Sequence, residues 1–157
     1  VATYDLARAH LRREIAVEVV RAIESESFRW IVANLANPDM VGHTGNFAAT
    51  VEACEATDAA IGRIASACLE HEEVVFAVVG DHGNAEEMTA GDGSPRTSHS
   101  LAPVPLLLAG RAVAGGTLDD GALRDVAPTL CALLRTAPDA AMTGRNLFRP
   151  VGEAREP

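Results

Sequence analysis

Five residues in three short stretches of this sequence have the types and spacing to hold a cation. In NPDMVGHTGN, residues 37–46, Asp39 and His43 stand four apart between a proline and two glycines. In GDHGN, Asp81 and His82 are adjacent, and in SHSLAPVP His99 lies between two serines. Carboxylate with imidazole is the ligand mixture of zinc and manganese sites, and a carboxylate-weighted set favours Mn²⁺ or Mg²⁺ over a structural zinc. Taken singly, an aspartate after a strand is more often a helix cap or turn former, and a loop histidine is more often simply hydrogen-bonded. What raises these above that reading is their grouping. His43, His82 and His99 all stand in loops rich in glycine, serine or asparagine, and two of them have an aspartate within four residues. His10 and His71 fall on helix-like stretches and receive no role. Cys54, Cys68 and Cys131 are scattered, odd in number and without a CxxC pair, which reads as small hydrophobes in a reducing cytosol.

The elements that must position these groups follow from periodicity. Leu11, Ile15, Val19 and Ile23 recur every four residues, which predicts an amphipathic helix from about Asp5 to residues 24–27. Residues 28–35 read as a short buried strand, followed by a loop over 36–46. Residues 48–70 read as a long alanine-rich helix, with Ala49, Ala53, Ala56, Ala60, Ile64 and Leu69 near one face. The β-branched run 74–79 predicts a central strand covered on both faces, and a polar loop leads from Asn84 to Ala102. A further strand is expected over 104–109, a helix over 125–134, and a loop-like tail from Ala137. Strands alternating with helices indicate an α/β fold with a mostly parallel sheet. In such sheets ligands gather beyond the carboxyl ends of the strands, and Asp39, His43, Asp81 and His82 all fall just past predicted strand ends.

Composition narrows the function classes. At 157 residues the chain is long enough for one real core, and with 48% hydrophobic but only 4% aromatic residues that core is aliphatic. A formal charge of −9 argues against nucleic acid or an anionic membrane surface as partner. No run approaches the roughly 18–20 apolar residues of a membrane-spanning helix. The opening VATYDLARAH has neither the basic nor the apolar region of a signal peptide. The expectation is a cytoplasmic piece of a longer protein.

NPDMVGHTGN, GDHGNAEEM and SHSLAPVP resemble, in order and spacing, the C-terminal metal-binding motifs of the cofactor-independent (2,3-bisphosphoglycerate-independent) phosphoglycerate mutases, within the alkaline phosphatase superfamily. VATYDL, DVAPTLCALL and MTGRNL are also similar to family segments, so the resemblance covers nearly the whole chain. It implies a three-layer α/β/α, alkaline phosphatase-like fold, present here as a partial domain. Residues 1–150 would be the C-terminal segment of the metal-binding domain and 151–157 a flexible tail. By the resemblance Asp39, His43 and His99 correspond to ligands of one Mn²⁺, and Asp81 and His82 to two ligands of a second, with Mg²⁺ or another divalent ion possible. The family interconverts 3-phosphoglycerate and 2-phosphoglycerate in glycolysis and gluconeogenesis, a serine taking and returning the phosphoryl group. That serine, an aspartate ligand and the substrate-gripping arginines and lysine lie upstream in the family, so no catalytic nucleophile is expected in this chain. The implied partners are a phosphoglycerate and the remaining N-terminal part of the same protein, the whole acting as a monomer. Gly80, where the family usually has a small apolar residue, and Ala102, where it usually has asparagine, depart from the pattern; neither is a ligand position. Another phosphomutase or phosphohydrolase of the superfamily, or a non-catalytic metal-binding module, remain the alternatives.

Overall fold

The computed structural model describes residues 14–152. A helix through residues 14–24 (α1) is followed by an irregular stretch, a short helix Asn37–Gly42 (α2) and a long helix Phe47–Leu69 (α3). Strand Phe76–Val79 (β1) pairs with Leu106–Ala109 (β2), and Thr117–Leu118 (β3) pairs with Phe148–Arg149 (β4) around helix Val126–Leu133 (α4). The expected extension of α1 back to Asp5 and residues 153–157 of the expected flexible tail lie outside the described residues.

Helix α3 forms where alanine is abundant and glycine rare, since alanine loses no side-chain entropy in a helix. Its start is fixed by Asn46, whose side chain accepts a hydrogen bond from the Ala49 N–H at 3.1 Å. Thr50, Ala53, Thr57, Ala60, Ile64 and Cys68 form its buried stripe. The expected face is therefore right at Ala53, Ala60 and Ile64, whereas Ala56 and Leu69 are exposed. Ala16 and Ile23 of α1 close on Ala60, Ile64 and Cys68, and Val19, Leu35, Val74 and Phe76 pack around them. This core is small-residue and aliphatic, as the composition requires. The three cysteines are free, and burial pushes the Cys54 and Cys68 thiols up from their ordinary pKa, which disfavours the thiolate form.

Three expectations are corrected. Residues 36–46 are not all loop, because 37–42 wind into α2. Pro38 in its first turn presets helical φ, and its missing N–H needs no partner there. Residues 28–35 do not form a buried strand: Trp30 is 49% and Val32 74% exposed. A strand needs a hydrogen-bonding neighbour, and among the described residues none forms a ladder with this segment. The mostly parallel sheet is likewise absent among the described residues, where both strand pairs are antiparallel and β1 is a member of a two-stranded sheet rather than a central strand. Parallel neighbours require a crossover connection. Between β1 and β2 the chain has no helix, so it doubles back and pairs Phe76 with Ala109 and Val79 with Leu106.

The C-terminal part is locked by two polar clamps. Thr129, 1% exposed, donates to the Asp125 carbonyl at 2.7 Å and accepts from the Leu147 N–H at 2.9 Å. The Asp125 carboxylate accepts from the Ala122 and Arg145 N–H groups, each at 2.8 Å. Beside them Asp119 accepts from Arg149 Nε and Nη2 at 2.9 and 2.7 Å and from Arg145 Nη1 at 3.2 Å. The two Arg149 donors, with Arg145 beside them, converge on the one oxygen Oδ2 and hold the Asp119 carboxyl down at about 2 against an ordinary 3.8. A carboxylate with a depressed folded-state pKa contributes stability above its unfolded pKa and loses it as pH falls through the folded one. Asp119→Asn is thus expected to lower the melting temperature at neutral pH. The gap from the wild type should close between pH 3.8 and about 2 in a calorimetric pH series.

Candidate metal centre

Each of the three motifs is delivered by a different piece of the fold. Asp39 lies in the first turn of α2 and His43 caps its C-terminus, so their four-residue spacing puts both on one helix face. Asp81 and His82 follow β1 directly. His99 arrives by a long excursion, in which the 84–102 segment folds on itself. The Met88 carbonyl accepts from Arg96 N at 2.8 Å and the Ser94 carbonyl from Ala90 N at 2.9 Å. The excursion closes where Ser100 N donates to the Gly83 carbonyl at 2.8 Å. A Cβ on Gly83 would collide with Ser100 Oγ and would sit 2.6 Å from Glu86 Oε1. Glycine there lets the two loops touch and places His99 beside His82.

The convergence point is one oxygen, Asp39 Oδ1. His99 Nε2 lies 3.1 Å from it, His43 Nε2 3.2 Å and His82 Nε2 3.9 Å. The His82 and His99 rings stack with centroids 3.6 Å apart, and His43 Nε2 lies 3.2 Å from His99 Nε2. Asp39, His82 and His99 each present a ligand atom within 4.8 Å of the others. Burial pushes the Asp39 carboxyl up, but the Asn84 hydrogen bond and the three histidines together outweigh it, and the pKa falls below the ordinary value. Of the five expected ligands, Asp39, His43, His82 and His99 are brought together. Asp81 stands at the edge of the group: its Oδ2 lies 3.7 Å from His82 Nε2, but its side chain is 81% exposed.

The fit to a cation can be judged from the lone pairs. His43 Nδ1 lies 2.7 Å from the Thr97 carbonyl, which only accepts, so in the neutral ring Nδ1 carries the proton and Nε2 offers its lone pair to the cluster. Two acceptors, His43 Nε2 and Asp39 Oδ1, then face each other at 3.2 Å. Such a pair is repulsive unless a proton or a cation sits between them. His82 Nδ1 is buried with no hydrogen-bond partner among the described residues. The donor set, one carboxylate and three imidazoles, suits a divalent ion.

Sequence reasoning missed the residues that hold this set in place. Thr97 fixes the His43 ring from 54 positions away, and Asn84 donates to Asp39 Oδ1 at 2.6 Å from 45 away. Asn84 was visible as part of GDHGN, but its contact with Asp39 depends on tertiary structure.

A metalloenzyme superfamily model matches residues 1–138. The chain belongs to the metalloenzyme superfamily. It is 46% identical to the 2,3-bisphosphoglycerate-independent phosphoglycerate mutase of Desulforudis audaxviator over 94% of this chain and 28% of that protein. It is 45% identical to the one of Chloroflexus aurantiacus, again over 94% of this chain and 28% of that protein. For the one of Cyanothece sp. the identity is 40%, over 96% of this chain and 30% of the relative. The chain thus spans less than a third of the length of these mutases. Within this chain the Thr97 contact makes a direct prediction. Long-range ¹H–¹⁵N spectra at pH 8 without metal should show His43 as the Nδ1–H tautomer, and an Nε2–H tautomer would contradict the geometry.

Proposed function

We propose that this chain is the C-terminal metal-binding part of a phosphoglycerate mutase that interconverts 3-phosphoglycerate and 2-phosphoglycerate. The observation that carries this reading is the convergence of Asp39, His43, His82 and His99 on one point, in a chain 40% to 46% identical to such mutases. In the proposed site Asp39, His43 and His99 hold one divalent ion, Mn²⁺ being the expected one, and Asp81 and His82 contribute to a second. When bound, the ions would neutralise phosphoryl oxygens and lower the pKa of a coordinated hydroxyl. This chain's residues supply the rest of their part by geometry. Thr97 keeps the His43 lone pair aimed inward, and the bridge between Gly83 and Ser100 holds the His82 and His99 loops together.

The nucleophilic serine and the cationic groups that grip the substrate would lie upstream, within an alkaline phosphatase-like, three-layer domain of which this is one segment. Two features support that. Phe28, Trp30 and Val32 are exposed on a segment that leads straight into α2, and apolar side chains in such a row call for a covering layer. Ser100 is buried, with its Oγ accepting from Ala102 N at 3.2 Å, which leaves it poorly placed to attack a substrate. Among the described residues no helix is long and apolar enough to cross a membrane. A cytoplasmic monomer is the state this reading favours.

Saturating Mn²⁺ at about 100 times Kd should raise the melting temperature of this chain by about 5–10 °C, corresponding to about 2.7 kcal/mol. Asp39→Ala should abolish the increase, and no shift in the wild type would refute a site that survives in this chain. In a coupled assay with Mn²⁺ the chain alone should not interconvert the phosphoglycerates. A protein carrying the upstream region should do so, and should lose the activity on His43→Ala. Turnover by the chain alone would overturn the placement of the nucleophile upstream.

A further inference from the structure

Asn84 is not among the carboxylates and imidazoles, yet at 5% exposure it is buried more deeply than they are. Its amide nitrogen donates twice to Asp39, to Oδ1 at 2.6 Å and to the main-chain carbonyl at 3.2 Å. Its own N–H donates to Glu86 Oε2 at 2.8 Å, which anchors the loop it sits on. The other end of the amide, Oδ1, is buried with no hydrogen-bond partner among the described residues. It points at Gly42, where a Cβ would come within 2.6 Å of Oδ1, 3.0 Å of Cγ and 3.2 Å of Nδ2. The amide is therefore wedged between the bare Cα of Gly42 and the carboxylate of Asp39.

We infer that Asn84 is a positioning residue that aims the Asp39 carboxylate at the histidines, and that Gly42 is glycine because a side chain there would lever the amide off Asp39. The inference rests on reading the Asp39 cluster as a metal site. The chemistry of the position supports it. A buried unpaired amide oxygen is unfavourable, and it is retained where the other end of the same group makes a charge-assisted hydrogen bond. A neutral donor is needed, because a carboxylate in its place would meet Asp39 with like charge. Asn84 stands two residues after His82, so its two bonds to Asp39 also fix α2 against the loop that follows β1. One side chain thus sets the spacing between the first and second motifs.

The test is Mn²⁺ titration by calorimetry on the wild-type chain, Asn84→Ala, Gly42→Ala and the double variant, with metal-free melting temperatures recorded for all four. Asn84→Ala should weaken Mn²⁺ binding about 10- to 100-fold. Gly42→Ala should weaken it in the same direction, because the added methyl group, chain neighbours aside, would meet the Asn84 amide first. The double variant should bind no more weakly than Asn84→Ala alone, since the amide that the added methyl group would strike is gone. Asn84→Leu keeps the volume and removes the donor. It should reproduce the loss, and it serves in place of Asn84→Ala if that variant does not fold. Wild-type affinity in Asn84→Leu, or losses that multiply in the double variant, would overturn the inference. If the wild type binds no Mn²⁺, the functional reading fails separately. The metal-free melting temperatures still decide the wedge: decrements smaller than additive support it, and additive ones overturn it.

Discussion

The site depends on bringing lone pairs together around a single oxygen. Asp39 Oδ1 has three imidazole nitrogens within 3.9 Å, and groups of that kind disperse into solvent unless something fixes them. Here they are fixed from outside the cluster by a carbonyl behind His43, an amide behind Asp39 and a bridge between the loops that carry His82 and His99. None of these contacts lies within one motif. The cluster can form only after α2, the end of β1 and the returning 84–102 loop have docked, so the site is a consequence of tertiary structure.

Close approach of backbones makes that docking possible, and glycine provides it at two points. Gly42 makes room for the Asn84 amide and Gly83 for Ser100. Gly45 adds a conformational requirement, with φ at +70° just before the Asn46 cap of α3. The chain therefore turns sharply out of α2, caps a new helix and packs α3 alongside. Few large side chains are involved, which suits a core built from alanine, isoleucine and cysteine.

What was legible in the sequence was whatever depends on local spacing. The four-residue repeat gives α1 through residues 14–24 and the buried positions Ala53, Ala60 and Ile64 of α3, and β-branched residues mark β1. The polar loop to Ala102 and the helix near 125–134 are also where the pattern puts them. Asp39 and His43 could be grouped as candidate ligands from their motif, but their common helix face was hidden, because 36–46 read as a loop and 37–42 wind into α2. Partner choice over longer distances was not legible. Thr97 and Asn84 act across 54 and 45 residues through a carbonyl and an amide, groups that leave no periodic trace. The antiparallel pairing of β1 with β2 was also hidden, because an apolar run of four to six residues reads the same in either orientation. For the same reason residues 28–35 look like a buried strand. Their composition suits burial, but among the described residues Phe28, Trp30 and Val32 are exposed.

If the substrate is the phosphorylated acid of the proposed reading, the charges explain why this chain's residues would need help in binding it. The net charge is −9, and Asp39 brings negative charge to the centre of the cluster while Asp81 stands exposed beside it. Several arginines are already engaged: Arg145 and Arg149 with Asp119, Arg96 with Glu87, Arg111 with Glu72 and Arg21 with Glu18. A phosphorylated acid approaching the bare cluster would meet a field of its own sign. Divalent ions held by the carboxylate and imidazoles would reverse that sign locally, and on the proposed reading the upstream arginines and lysine complete the reversal. On the proposed reading, positioning lone pairs for a cation is the contribution of this segment, and gripping the anion falls to the remainder of the protein.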